Sequence, residues 1–175
     1  KKNFPFTKMI WGGYFPSTQP EAVLCSRYVD FIINGPGDYA FPALIDALEN
    51  DRPFEFIKNL VYQAFDGRII KTPKEDLMEQ DILPPLPYDK LNEFYPISWL
   101  LGKTYLGEKT MAYHSSIGCP FTCSFCAVVP IFEARWKAKS AQTVYNDIKY
   151  IKDKWGATAI EFHDNNFFVS EKRSV

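Results

Sequence analysis

The chain has 175 residues, 46% hydrophobic and 17% aromatic, which is enough apolar material for a packed core and too much for a disordered segment. A formal net charge of -1, with the basic residues scattered, leaves no electrostatic footprint for nucleic acid or anionic lipid. No run approaches the roughly 18 apolar residues of a membrane span, and no signal-peptide pattern is seen; four cysteines, three of them in one loop, speak against a disulfide framework and for a reducing compartment, the cytoplasm.

Lys8-Met9-Ile10-Trp11 reads as a buried strand running into a tight turn at Gly12-Gly13. Thr18-Gln19-Pro20-Glu21 fits a capping box, with Thr18 at the N-cap, Pro20 in the first turn and Glu21 reaching back, ahead of a brief helix to about Arg27. Asp30-Phe31-Ile32-Ile33-Asn34 is a second buried strand, closed by Gly35-Pro36-Gly37-Asp38, from which a helix runs through Leu44 and Leu48. Strand, glycine turn and helix in alternation predict an α/β fold with a doubly wound parallel sheet. Such sheets bind ligands at the carboxyl ends of their strands, where glycine lets backbone come close, so Gly12, Gly13, Gly35 and Gly37 are candidate contacts; plain turns are the alternative.

Asp66-Gly67 between residues 60–64 and 68–71 is a hairpin signal, and the proline-punctuated stretch 71–88 reads as a stiff connector. This divides the chain into 1–52, a hairpin and linker over 53–107, and 108–175. Phe94, Tyr95, Trp99 and Tyr105 in the irregular stretch after the prolines are expected to cover an apolar edge. Thr110 to Ile117 forms one strand that delivers the cysteines. Ser140 then caps a helix with Val144, Ile148, Ile151 and Trp155 in one stripe, stopped by Gly156, and Thr158 to Phe162 is the next strand. A β-loop-α-β unit of this kind closes as two parallel strands with a right-handed crossover.

Cys119, Cys123 and Cys126 form a CxxxCxxC loop with Pro120 after the first and Phe125 directly before the third. A short loop wrapped on itself can point three thiolates at one centre, and thiolate is the usual ligand for iron-sulfur clusters and structural zinc. Core packing does not gather three cysteines within eight positions around a proline. Zinc would need a fourth ligand from Cys25, His114 or His163, none of which stands in CxxC or HxxxH spacing with the loop, so three ligands and one open coordination site fit a cluster better. Cys25, on the short helix, reads as packing.

The loop looks like the cluster loop of the radical SAM enzymes. Its flanks, Tyr113-His114-Ser115-Ser116-Ile117-Gly118 and Phe162-His163-Asp164-Asn165-Asn166-Phe167, resemble the cobalamin-binding subgroup. The order Gly12-Gly13, Ser17 to Glu21, Asp30 to Ile33 and Gly35 to Asp38 is similar to the last third of that subgroup's cobalamin domain, with Pro36 and Asp38 standing where the family has the glutamates of GEGE. The family's DxHxxG loop has no counterpart: neither His114 nor His163 matches it, and it would lie upstream of Lys1.

The resemblance implies a fragment: the end of a doubly wound, flavodoxin-like cobalamin domain, then the first β/α units of a partial TIM-type barrel whose remainder lies beyond Val175. It implies that Cys119, Cys123 and Cys126 hold a 4Fe-4S cluster whose fourth iron chelates S-adenosylmethionine, that Phe125 lies against the adenine, and that the four glycines face cobalamin. Asp164 would meet the methionyl ammonium of S-adenosylmethionine; a loop cap at the strand end is the alternative. His163 is a proton donor or a satisfied strand histidine. The implied chemistry is reductive cleavage to a 5'-deoxyadenosyl radical, with electrons from a flavodoxin or ferredoxin. The expected reaction is methyl transfer to a carbon of a small-molecule substrate, with oxidative cyclisation as the rival within the family and a zinc-binding module as the rival outside it.

Overall fold

The computed structural model describes residues 3–174. Its elements in chain order are β1 (Ile10–Gly12), α1 (Tyr14–Thr18), α2 (Pro20–Cys25), β2 (Phe31–Ile33), α3 (Ala40–Glu49), β3 (Leu60–Gln63), β4 (Ile69–Lys71), α4 (Tyr88–Phe94), β5 (Thr110–Tyr113), β6 (Ser116–Gly118), α5 (Val129–Phe132), β7 (Trp136–Ala138), α6 (Ala141–Trp155), β8 (Ala159–Phe162) and α7 (Glu171–Ser174). They form two compact units, one reaching Leu77 and including Thr122–Glu133, the other comprising Met78–Phe121 and the chain from Ala134 on.

In the first unit the sheet order is β1-β2-β3-β4. β1 and β2 are parallel, whereas β2 with β3 and β3 with β4 are antiparallel. All three residues of β2 are buried because both faces of the strand are covered. Phe31 and Ile33 join Leu44 and Ala47 of α3 in one core cluster; Ile32 joins Val23 and Leu24 of α2 and Val61 in another. A helix on each face is the doubly wound arrangement. Ala40, Leu44 and Ala47 recur at the i, i+4, i+7 spacing that gives α3 one apolar face, and full burial of a leucine such as Leu44 contributes roughly 1.5–3 kcal/mol.

Three local expectations change. The hairpin of β3 and β4 forms, with Gly67 at φ 86, but it extends this sheet through β2 rather than standing in a connector, because Leu60 and Val61 bring apolar side chains to both faces. β1 is not buried: it pairs with β2 alone among the described strands, and Trp11 is 45% exposed. Thr18 does not cap α2. It ends α1, its hydroxyl donates to the carbonyls of Tyr14 and Phe15, Gln19 stands at the N-cap before Pro20, and Glu21 turns outward to pair with Lys71.

The second unit is built on the parallel pair β5 and β8, in register from Thr110 with Ala159 to Tyr113 with Phe162, joined across α6. Ser140 Oγ accepts the Thr143 N–H at 3.2 Å and Gly156 closes the helix in the left-handed region, so both ends of α6 form as their residue types dictate. Val144, Ile151 and Trp155 pack with Met111, Tyr113 and Ile97; Ile148 is half-buried. The aromatics Phe94, Tyr95, Trp99 and Tyr105, expected to cover an apolar edge, are exposed, and Ile97 is the residue of this stretch that enters the core. The strand expected through Ile117 breaks at His114-Ser115. Its continuation, β6, pairs antiparallel with β7.

Candidate functional site

The cysteine loop runs from the end of β6 to the start of α5. Gly118, in the left-handed region at φ 79, turns the chain out of β6, and the Cys119 N–H then donates to the Arg135 carbonyl at 3.1 Å, one step beyond the β6–β7 ladder. Within the first unit, Cys126 N–H donates to the Cys123 carbonyl at 3.1 Å and Val129 N–H to the Cys126 carbonyl, a tight turn feeding α5. Lys74 fixes that segment: its ammonium donates to the carbonyls of Pro130 and Ile131, at 2.6 and 3.2 Å, and pairs with Glu133 at 2.9 Å. Glu133 and Ala134 are both left-handed, which reverses the chain toward β7.

All three loop thiols are free. Cys119 and Cys126 are partly exposed, and Cys123 is exposed; Phe125 between them is 90% exposed. Among the described residues no group of three His, Cys, Asp or Glu side chains converges as a metal site. Cys25 is exposed at the end of α2 rather than packed, because α2 turns Val23 and Leu24 inward.

Asp164, just past β8, faces the break between β5 and β6. Its Oδ1 accepts the Ser115 N–H at 2.9 Å, the Ser116 N–H, and the Ser116 hydroxyl at 2.6 Å; Oδ2 accepts the Ser115 hydroxyl at 2.8 Å. Arg173 of α7 donates to the Ser115 carbonyl and hydroxyl and to the carbonyl of Lys139. Behind this lies a polar triad: Lys139 Nζ is 2.7 Å from Asp147 Oδ2 and donates to the Tyr113 hydroxyl, which itself donates to Asp147. Burial, and next the hydrogen bond to Asp147, push the Tyr113 phenol well above the usual tyrosine value. His163 N–H continues the β5–β8 pairing to the Tyr113 carbonyl, its ring meets His114 edge to face at 5.9 Å, and its Nε2 lies 3.5 Å from Glu161.

The four glycines gather at the carboxyl ends of β1 and β2, which are neighbours. Gly13 and Gly35 are left-handed, at φ 99 and 113, and a Cβ placed on Gly13 would meet nothing within 4 Å. Gly12 and Gly37 instead pack near Ile33. The turn after β2 is held by Ser17, whose Oγ accepts the Gly35 N–H at 3.0 Å, and by Asn59, whose Nδ2 donates to the Pro36 carbonyl at 3.0 Å. Sequence reading missed Ser17, Asn59, Lys139 and Arg173. Asp147 did leave a signal, as a carboxylate three positions after Val144 and four before Ile151, on the helix's apolar stripe.

No family model matches the chain. It is 28% identical over 169 residues to an uncharacterised methyltransferase of Pyrococcus horikoshii, covering 95% of this chain and 35% of that protein. It is 23% identical over 155 residues to the anaerobic magnesium-protoporphyrin IX monomethyl ester cyclase of Rubrivivax gelatinosus, covering 86% of this chain and 25% of that one. Among solved structures, the cobalamin-dependent S-adenosylmethionine radical enzyme OxsB, with aqua-cobalamin and S-adenosylmethionine bound, superposes with a TM-score of 0.68 at 20% identity over 90% of this chain and 21% of its own. This is the fold of the cobalamin-dependent radical SAM enzymes. The radical S-adenosylmethionine methyltransferase TsrM of Kitasatospora setae, which shares it, matches 99% of this chain and 32% of its own, with a TM-score of 0.69 at 17% identity. A second TsrM structure holds cobalamin and a [4Fe-4S] cluster. The chain spans about a third or less of the length of these proteins. The resemblance read from the cysteine loop is thus borne out, as is the α/β class. No helix among the described residues is long and apolar enough to cross a membrane.

Proposed function

We propose that the chain is part of a cobalamin-dependent radical SAM enzyme that methylates a carbon of a small-molecule substrate. One observation carries this reading: the CxxxCxxC loop leaves the carboxyl end of β5–β6 in a parallel β-α-β unit, within a chain that follows the cobalamin-dependent radical SAM fold over nine-tenths of its length. The donor set suits an iron-sulfur cluster, being three free thiols with no disulfide competing for them.

Cys119, Cys123 and Cys126 would hold the 4Fe-4S cluster. Bound there with S-adenosylmethionine, it supplies one-electron chemistry that protein side chains lack. Phe125 offers an exposed ring to the adenine. Asp164 Oδ2 accepts the Ser115 hydroxyl, and a carboxylate oxygen with two lone pairs keeps acceptor capacity for the methionyl ammonium. Cobalamin fits the carboxyl ends of β1 and β2: Gly13 leaves open space, Gly35 holds a backbone shape other residues resist, and Asn34 Oδ1 at the same turn is buried without a donor among the described residues. Electrons come from a flavodoxin- or ferredoxin-like donor in a reducing cytoplasm.

The similarity to the Rubrivivax cyclase favours oxidative cyclisation as a second reading. Electron paramagnetic resonance on the anaerobically reconstituted, dithionite-reduced protein tests the shared premise. A cluster signal that changes when S-adenosylmethionine is added supports both readings, and products from a longer chain then separate them. A silent sample containing zinc and no sulfide overturns both in favour of a metal-binding module without radical chemistry.

A further inference from the structure

We infer that Asp164 is a positioning residue for the Cys119 arm of the loop. This rests on Cys119 being a cluster ligand, and it goes beyond any contact of Asp164 with S-adenosylmethionine. A strand running straight on from β5 would carry the β5–β8 register past Phe162, setting Ser115 opposite Asp164 and Ser116 opposite Asn165 in ladder pairing. Instead both N–H groups and both hydroxyls turn onto one carboxylate from 49 and 48 residues away, and the chain leaves β5 in a new direction as β6. Ser115 is fully buried and Ser116 nearly so, so these donors have no water to fall back on.

From Ser116 the ladder is short and continuous. Ser116 pairs with Ala138, Ile117 with Lys137 and Gly118 with Trp136, and the Cys119 N–H then reaches Arg135. Arg173 locks the other side of the same peptide by donating to the Ser115 carbonyl, which also accepts the Lys139 N–H at 2.9 Å. A shift of the Ser115-Ser116 peptides therefore travels three residues along a hydrogen-bonded ribbon to Cys119. Hydrogen bonds to an ionised acceptor are about twice as strong as neutral ones, which makes a carboxylate the suitable anchor for four donors.

The test compares Asp164→Ala and Asp164→Asn with the parent chain, with S-adenosylmethionine absent throughout so that ammonium binding cannot contribute. In the metal-free protein, Asp164→Ala speeds amide exchange at Ser115 and Ser116 by about ten-fold or more, since each loses a bond to a charged group, and Cys119 alkylates faster, while α6 amides keep their protection. In the reconstituted protein, Asp164→Ala shifts the g values of the reduced cluster. Asp164→Asn, whose amide oxygen still accepts N–H groups, restores most of the parent behaviour in both states. Parental exchange, alkylation and g values in Asp164→Ala would overturn the positioning role. If the parent takes up no iron and sulfide, the cluster reading fails, and exchange and alkylation decide the positioning role without it. If Asp164→Ala does not fold, Asp164→Asn is judged against the parent alone, and identical Ser115 and Ser116 exchange together with a wholly altered cluster signal would contradict the proposal.

Discussion

Tyr113 donates its phenolic hydrogen to Asp147 Oδ2 at 2.6 Å, and the same oxygen takes the Lys139 ammonium at 2.7 Å. Lys139 and Asp147 side chains are 10% and 19% exposed, so the pair is held away from water directly behind the strand that leads to the cysteines. Removing one partner strands the other. Asp147→Ala is expected to lower stability by about 3 kcal/mol, because it leaves a buried ammonium unpaired, whereas Tyr113→Phe costs about 1 kcal/mol because the ion pair survives. Urea unfolding of the two variants checks both, and equal small losses would contradict the buried-pair reading.

The same phenol sets an alkaline limit. Its folded-state value is raised above the ordinary tyrosine value of about 10, chiefly by burial, so the neutral form is the one folding favours. Its contribution is whole below about pH 10 and is lost as pH rises toward the folded-state value. Tyr113→Phe should remove one of the tyrosines that resist titration until the chain unfolds, read from tyrosinate absorbance.

At the start of α6, Ser140 Oγ caps Thr143 while its own N–H donates to Asp81 at 2.7 Å. Ser140→Ala should cost about 1 kcal/mol, the usual worth of an N-cap. The Ser140 N–H is the main cause holding the Asp81 carboxyl below its ordinary value. A depressed carboxylate stabilises above its unfolded value of about 4 and ceases to as pH falls through the folded one. The loss of stability below about pH 4 should therefore be shallower in Asp81→Asn than in the parent, read by circular dichroism across an acid titration.

These local features separate what the sequence makes legible from what it hides. Ser140, Gly156 and the stripe of Val144, Ile151 and Trp155 lie within one helix, so their meaning is readable in a short window. The break between β5 and β6 is not, because the carboxylate that causes it lies 49 residues on from Ser115. The hairpin was legible at Asp66-Gly67, yet its partner strand β2 was not, since pairing with β2 depends on which faces α2 and α3 leave for Leu60 and Val61. The exposed Trp11, Trp99 and Tyr105 mark the opposite case: an apolar or aromatic residue type does not by itself guarantee burial. In the candidate site the cysteines announce themselves by spacing, while Lys74 and Asn59, which hold the surrounding backbone, carry no motif.

Gly35 sits at φ 113, a conformation that residues with a Cβ resist at a cost on the order of 1–3 kcal/mol. Gly35→Ala should deform the turn after β2 and weaken hydroxocobalamin binding, read from visible absorbance, far more than Gly102→Ala, where a Cβ meets nothing and φ is ordinary. Equal affinity in the two variants would remove the turn from the cobalamin site.

Whether Cys119, Cys123 and Cys126 hold an iron-sulfur cluster is decided by iron, zinc and acid-labile sulfide counted per chain after anaerobic reconstitution. Iron and sulfide in near-equal amounts with little zinc are predicted for the parent and for Cys25→Ala, and neither for Cys123→Ala. Equal iron in Cys123→Ala and Cys25→Ala, or stoichiometric zinc without sulfide in the parent, would contradict the cluster assignment.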